Sequence, residues 1–114
     1  MDELIINSAD NVTISNNLLI VNNGITRTSD IMPLSHISHI GAVKRNNSKT
    51  KKQQFICMFV MDIWCIRTED TTAKEDDQDN LIDIIVEVHN KIAKGLAEYH
   101  TTSFKLTKPK KVDL

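Results

Sequence analysis

The sequence predicts an α+β domain: about seven short strands in a bent antiparallel sheet or partly open barrel, capped by one C-terminal amphipathic helix. Three observations carry this. Residues 4 to 68 break into short apolar or alternating runs separated by Asn, Gly and Pro. From about Asp79 the pattern changes to a long stripe of helical period. The chain has 114 residues, 40% hydrophobic and 25% charged, which is one domain's worth with enough apolar surface for a core.

The strands follow in order. Leu4-Ile5-Ile6 is a short apolar run, and Val12-Thr13-Ile14-Ser15 alternates like a half-buried strand. Asn16-Asn17 supplies a turn, because Asn tolerates the left-handed region. Leu18-Leu19-Ile20-Val21 is apolar on both faces, as in a strand covered on both sides or entering a core. Asn22-Asn23-Gly24 predicts a type I′ hairpin, with Ile25-Thr26-Arg27-Thr28 as the returning strand. Pro33 argues against a central strand position, and Leu34, Ile37 and Ile40 recur every three residues. A tight turn at 34–38 leading into a strand at about 38–45 fits both. The polar, basic stretch 46–53 reads as a hairpin loop. Phe55–Met61 and Ile63–Thr68 are the last two strands, with a bend at Asp62 and the two cysteines nearly opposite each other.

An acidic connector from Glu69 leads into a helix from about Asp79 to Tyr99. Leu81, Ile85, Val88, Ile92, Leu96 and Tyr99 form its apolar stripe, widened by Ile84. Asp76, Asp77 and Asp79 near its start, and Lys91 and Lys94 late, suit the macrodipole. Glu87 and Lys91 form an i,i+4 pair. Gly95 marks a place where the helix frays or ends. Residues 1–100 are therefore expected to be one domain, and residues 101–114 a flexible basic tail.

Val12 to Gly24, followed by Ile31-Met32-Pro33-Leu34-Ser35-His36-Ile37, resembles the first half of bacterial pleckstrin-homology-like domains. Ile63 to Thr68, the acidic connector and the helix from Asp79 look like their last strand and closing helix. The resemblance covers roughly residues 4–99. It implies a seven-stranded bent barrel capped by a helix; it does not imply lipid binding, because bacterial members vary in role and many are interaction or assembly modules. Fold alone does not carry function. The acidic connector and the C-terminal tail depart from the pattern.

The chemistry-bearing residues are sparse. There is no Gly-rich phosphate loop and no nucleophile elbow, so no enzymatic activity, catalytic residue or cofactor is expected. His36 and His39 read as surface or turn histidines, His89 as solvated, and no metal site is expected. Cys57 and Cys65 read as small buried hydrophobes, and Trp64 as core. The acidic run 69–79 lacks calcium-loop spacing. Formal net charge is −1, which excludes a generally basic nucleic-acid binder but not a local basic patch.

Neither the acidic N-terminus nor Phe55–Met61 meets the requirements of a secretory signal or a spanning helix of about 20 residues. A cytoplasmic protein with reduced thiols is the expectation. Abundant Ile and Asn with scarce Ala fit a bacterial or phage genome of low GC content.

The leading expectation is a protein-protein interaction or assembly module, acting as a homo-oligomer or as a small subunit. Phe55, Met58, Phe59, Met61, Ile82 and Val86 are its candidate contact residues. The alternative is electrostatic binding of anionic lipid or nucleic acid. Its candidates are Lys44, Arg45, Lys49, Lys51 and Lys52 in loop 44–52, and Lys108, Lys110 and Lys111 in the tail segment 105–111.

Overall fold

The computed structural model describes residues 2–24, 26–47, 54–68 and 78–107; within them, side chains are described except at 44–47, 54–55, 78–80 and 102–107. The elements are β1 (Asp2–Ile6), a 3-10 turn at Ala9–Asn11, β2 (Val12–Ser15), β3 (Leu18–Asn22), β4 (Ser29–Pro33), a 3-10 turn at Leu34–His36, β5 (Lys44–Asn47), β6 (Gln54–Val60), β7 (Trp64–Thr68) and α1 (Gln78–Thr107). They form a four-stranded sheet in the order β1-β7-β6-β5, a three-stranded sheet β2-β3-β4, and one C-terminal helix, with no closed barrel among the described residues.

The α+β class is as the sequence predicts, but the pairing is not antiparallel throughout. β1 runs parallel to β7, with Glu3 beside Cys65 and Ile5 beside Arg67. A parallel neighbour needs a long crossover, and the whole of β2 to β6 lies between these two strands. The chain thus closes its first strand against its last.

Local chemistry sets the turns. Asn16 and Asn17 both take positive φ (52° and 62°) between the paired Ser15 and Leu18, a two-residue turn. Met61 and Asp62 do the same between β6 and β7 (51° and 57°), and the Ile63 N–H closes that turn onto the Val60 carbonyl at 3.0 Å. Ser8 and Asn11 cap the first 3-10 turn reciprocally. Ser8 Oγ accepts from the Asp10 N–H (3.1 Å), and Asn11 Oδ1 accepts from the Ser8 N–H (3.0 Å).

The expected Asn-Gly hairpin does not form. Asn22 pairs with Ser29, so the returning strand is Ser29–Pro33 rather than residues 25–28. Asn23 builds a wider loop instead: its N–H donates to the Thr28 carbonyl (2.8 Å) and its carbonyl accepts from the Arg27 N–H (3.0 Å). The Gly24 N–H donates to Ile5 (2.8 Å), tying the loop to β1, and positive φ falls on Arg27 (57°) rather than on glycine. The strand expected at 38–45 is also displaced. Ile40 makes only an isolated bridge to Val60, and β5 proper begins at Lys44.

One core joins the layers. Val12, Leu19, Val21 and Met32 from the small sheet meet Leu4, Ile6, Ile56, Met58, Val60, Trp64 and Ile66 from the large one. Ile85, Val88, Ile92 and Leu96 of α1 close it, as the predicted stripe requires. The helix lies on β6, β7, β2 and the first 3-10 turn.

It is longer than predicted: 30 residues, running through Gly95 and past Tyr99 to Thr107, so the tail expected from 101 is helical over its first seven positions. Gly95 is a packing residue rather than a terminator. A Cβ built there would run into Ile14 Cδ1, so glycine leaves room for the end of that side chain between α1 and β2. No helix among the described residues is long and apolar enough to cross a membrane.

Candidate functional site

The two edges of the small sheet are treated differently. At the β2 edge, the Asn16-Asn17 turn makes Ser15 and Leu18 the first hydrogen-bonded pair, so the backbone groups of Val12 and Ile14 point away from β3. α1 covers this edge. Lys91 Nζ donates to the Val12 carbonyl at 3.1 Å and to the Ala9 carbonyl at 2.9 Å. Lys91 therefore satisfies sheet-edge and 3-10 carbonyls, a role its position in an i,i+4 pair with Glu87 did not suggest. A groove of about 360 Å³ remains between β2 and α1, lined by Val12, Thr13, Ile14, Lys91, Lys94, Gly95 and Glu98. Its polar lining is Thr13, Lys91, Lys94 and Glu98.

The β4 edge is open: among the described residues no strand pairs with it on that side. Hydrogen bonds at both ends of the β3–β4 ladder fix its phase. Asn23 bonds Thr28, and the Leu34 N–H donates to the Asn17 carbonyl at 2.9 Å. Alternation then gives Asp30 and Met32 the bonds to β3. Ser29, Ile31 and Pro33 turn their backbone groups outward, and proline lacks only the N–H. The 2.6 Å hydrogen bond from Ser29 Oγ to Asn22 Oδ1 fits this phase, because side chains stand closer at pairs without backbone bonds.

The solvent face beside that edge is apolar. Ile31 stands opposite Ile20, and Pro33 opposite Leu18. Leu18, Ile20 and Pro33 are half-buried, and Ile31 is 55% exposed. Leu19 and Val21, the other face of β3, are fully buried. The doubly apolar β3 thus has one face in the core and the other at the surface. Its pattern was visible in the sequence, but a neighbouring edge strand was not.

The predicted contact residues with described side chains do not form one exposed patch. Met58 is fully buried in the core and is withdrawn as a surface residue: its side chain shares the inner face with Ile56 and Val60. Phe59 is half-buried on the opposite face of β6. Met61 is half-buried in its turn, its Sδ accepting from the Ser38 N–H. Ile82 packs partly against the core, and Val86 is 39% exposed on α1. The Phe55 side chain lies outside the described residues. Of the basic candidates, Lys44 and Arg45 open β5 without described side chains, and Lys49, Lys51, Lys52, Lys108, Lys110 and Lys111 lie outside the described residues, as does the acidic run 69–77.

The cysteines are diagonal rather than opposite: Cys57 faces Arg67, and Cys65 faces Phe59. Both are buried and are not joined in a disulfide. Burial pushes the Cys65 thiol up to about 12, and the neighbouring Cys57 adds to the shift. Raised above its ordinary value of 9.0, this thiol stays protonated in the fold while the unfolded chain ionises. Stability is therefore expected to be intact below pH 9 and to fall as pH rises from 9 towards 12, read from urea midpoints across that range. A Cys65→Ala variant should lose less of its stability over the same window; an identical loss would contradict this source.

His36 and His39 are exposed, and His89 is half-buried on α1 rather than fully solvated. No group of three or more His, Cys, Asp or Glu positioned for a metal ion occurs among the described residues. No protein-family model matches the chain, and comparison with curated proteins and with solved structures found no match.

Proposed function

We propose that this chain is a protein-interaction module that binds another polypeptide by adding a strand to β4. The observation that carries the reading is the contrast between the two edges of one sheet. Helix α1 and Lys91 cover β2, whereas β4 presents outward backbone groups beside an exposed isoleucine. Soluble proteins ordinarily blunt such edges. In strand addition the main-chain bonds provide affinity, and alternate side chains provide selectivity. Here Ile31, Ile20, Leu18 and Pro33 would take the partner's apolar side chains on one face. The order of strands followed by a long helix supports the likeness to pleckstrin-homology-like domains within this reading. The parallel β1–β7 pair departs from the antiparallel sheet that the likeness implies.

A random-peptide display selection on the immobilised protein tests it. The expected winners are extended peptides of alternating apolar character. Ile31→Lys should weaken them by at least about tenfold, the equivalent of about 1.4 kcal/mol. Replacing Lys49, Lys51 and Lys52 together by Ala should leave them bound. Peptides that survive Ile31→Lys but not the lysine replacements would instead favour the electrostatic alternative.

A further inference from the structure

We infer that the occupant of the β4 edge is a second copy of this chain, paired antiparallel about a two-fold axis at Ile31. The inference rests on the strand-addition reading and adds the partner and the register. An isologous contact must be complementary to itself, and β4 meets that demand with Ile31 on the axis. With Ile31 opposite its own copy, the two residues exchange both backbone bonds. Each Ser29 N–H then meets the other chain's Pro33 carbonyl. The donor that Pro33 lacks costs one bond per copy at the ends of the ladder and none at its centre.

Charge and shape agree. Asp30 falls opposite the copy's Met32 and not opposite the other Asp30, so like charges do not confront each other across the seam. On the solvent face Ile20, Ile31 and their copies form one unbroken apolar stripe across a six-stranded sheet. A register centred on Asp30 would set two carboxylates face to face. That register would still bond Ser29 and Ile31 to each other's copy, so it is the facing carboxylates that disfavour it.

The test combines light scattering over rising concentration with cross-linking of single-cysteine additions. The wild type should reach twice the chain mass. Ile31→Asp should lower the association at least ~100-fold, because two apposed isoleucines become two facing carboxylates. Ile31→Cys should cross-link on oxidation, since directly paired residues at hydrogen-bonded positions stand about 5.5 Å apart at Cα, within disulfide reach. Ile63→Cys, at a site 48% exposed in the wild type, is the control and should not. The native cysteines are buried and do not compete.

A single-chain mass at every concentration, with display peptides still lost on Ile31→Lys, would overturn the second copy and leave strand addition standing. A two-chain mass that survives Ile31→Asp, or equal cross-linking at positions 31 and 63, would overturn the register. A single-chain mass with no peptide bound would overturn both.

Discussion

Truncating Ile92 to alanine should cost about 2–5 kcal/mol of unfolding free energy, the largest loss expected from any single side chain considered. Ile92 is fully buried in the middle of the α1 stripe, where the helix meets both sheets. Removing its outer carbons forfeits their transfer energy and leaves a cavity between three layers that cannot all close at once. Val86 is the matched control on the same helix. It is 39% exposed, and Val86→Ala should stay within about 0.5 kcal/mol. Urea melts of the two variants check the pair, provided that the slope m stays constant. Similar losses at both positions would mean that the helix packs on a different face.

Lys91→Met should cost about 2 kcal/mol, far more than a surface lysine ordinarily does. Methionine keeps the apolar stem but removes the ammonium that reaches the Ala9 and Val12 carbonyls, at 2.9 and 3.1 Å. Both bonds are charge-assisted and partly buried, and the Val12 carbonyl is turned away from β3. The Ala9 carbonyl still accepts from the Val12 N–H, so the loss falls chiefly on the Val12 carbonyl at the covered edge. Lys94→Met removes an exposed ammonium one turn later and should be nearly neutral. If the two lysines give the same small change, the β2 edge is not held by Lys91.

The helix stripe and most strand positions were legible because burial imposes period on sequence. Ile85, Val88, Ile92 and Leu96 face the core as their spacing requires. The Asn16-Asn17 turn was legible because few residues accept positive φ. Long-range pairing was not legible. Nothing local in Leu4-Ile5-Ile6 says that it lies parallel to Ile66, since that choice is made by the chain between them.

Gly24 was misread for a similar reason. Its N–H is claimed by Ile5, a residue distant in sequence, and this overrides the local hairpin preference. Gly95 looked like a helix end because its cost is local, whereas its benefit, room for Ile14, comes from another element. Met58 looked like a surface residue because both faces of β6 are apolar, and only the three-dimensional layers show which one is covered. Ile31 was missed because an isolated exposed isoleucine is ordinary. It gains meaning only from lying on an open edge beside Ile20.

Residue-resolved amide hydrogen exchange along β4, at low and at high protein concentration, tests the central claim most directly. At low concentration Asp30 and Met32, bonded to β3, should be protected, while the outward amides of Ser29 and Ile31 exchange freely. At high concentration Ser29 and Ile31 should become protected together, and Ile31→Asp should abolish that gain. An Ile31 amide that exchanges equally fast at both concentrations, in a sample whose Asp30 and Met32 amides stay protected, would contradict the assembly of this protein through β4.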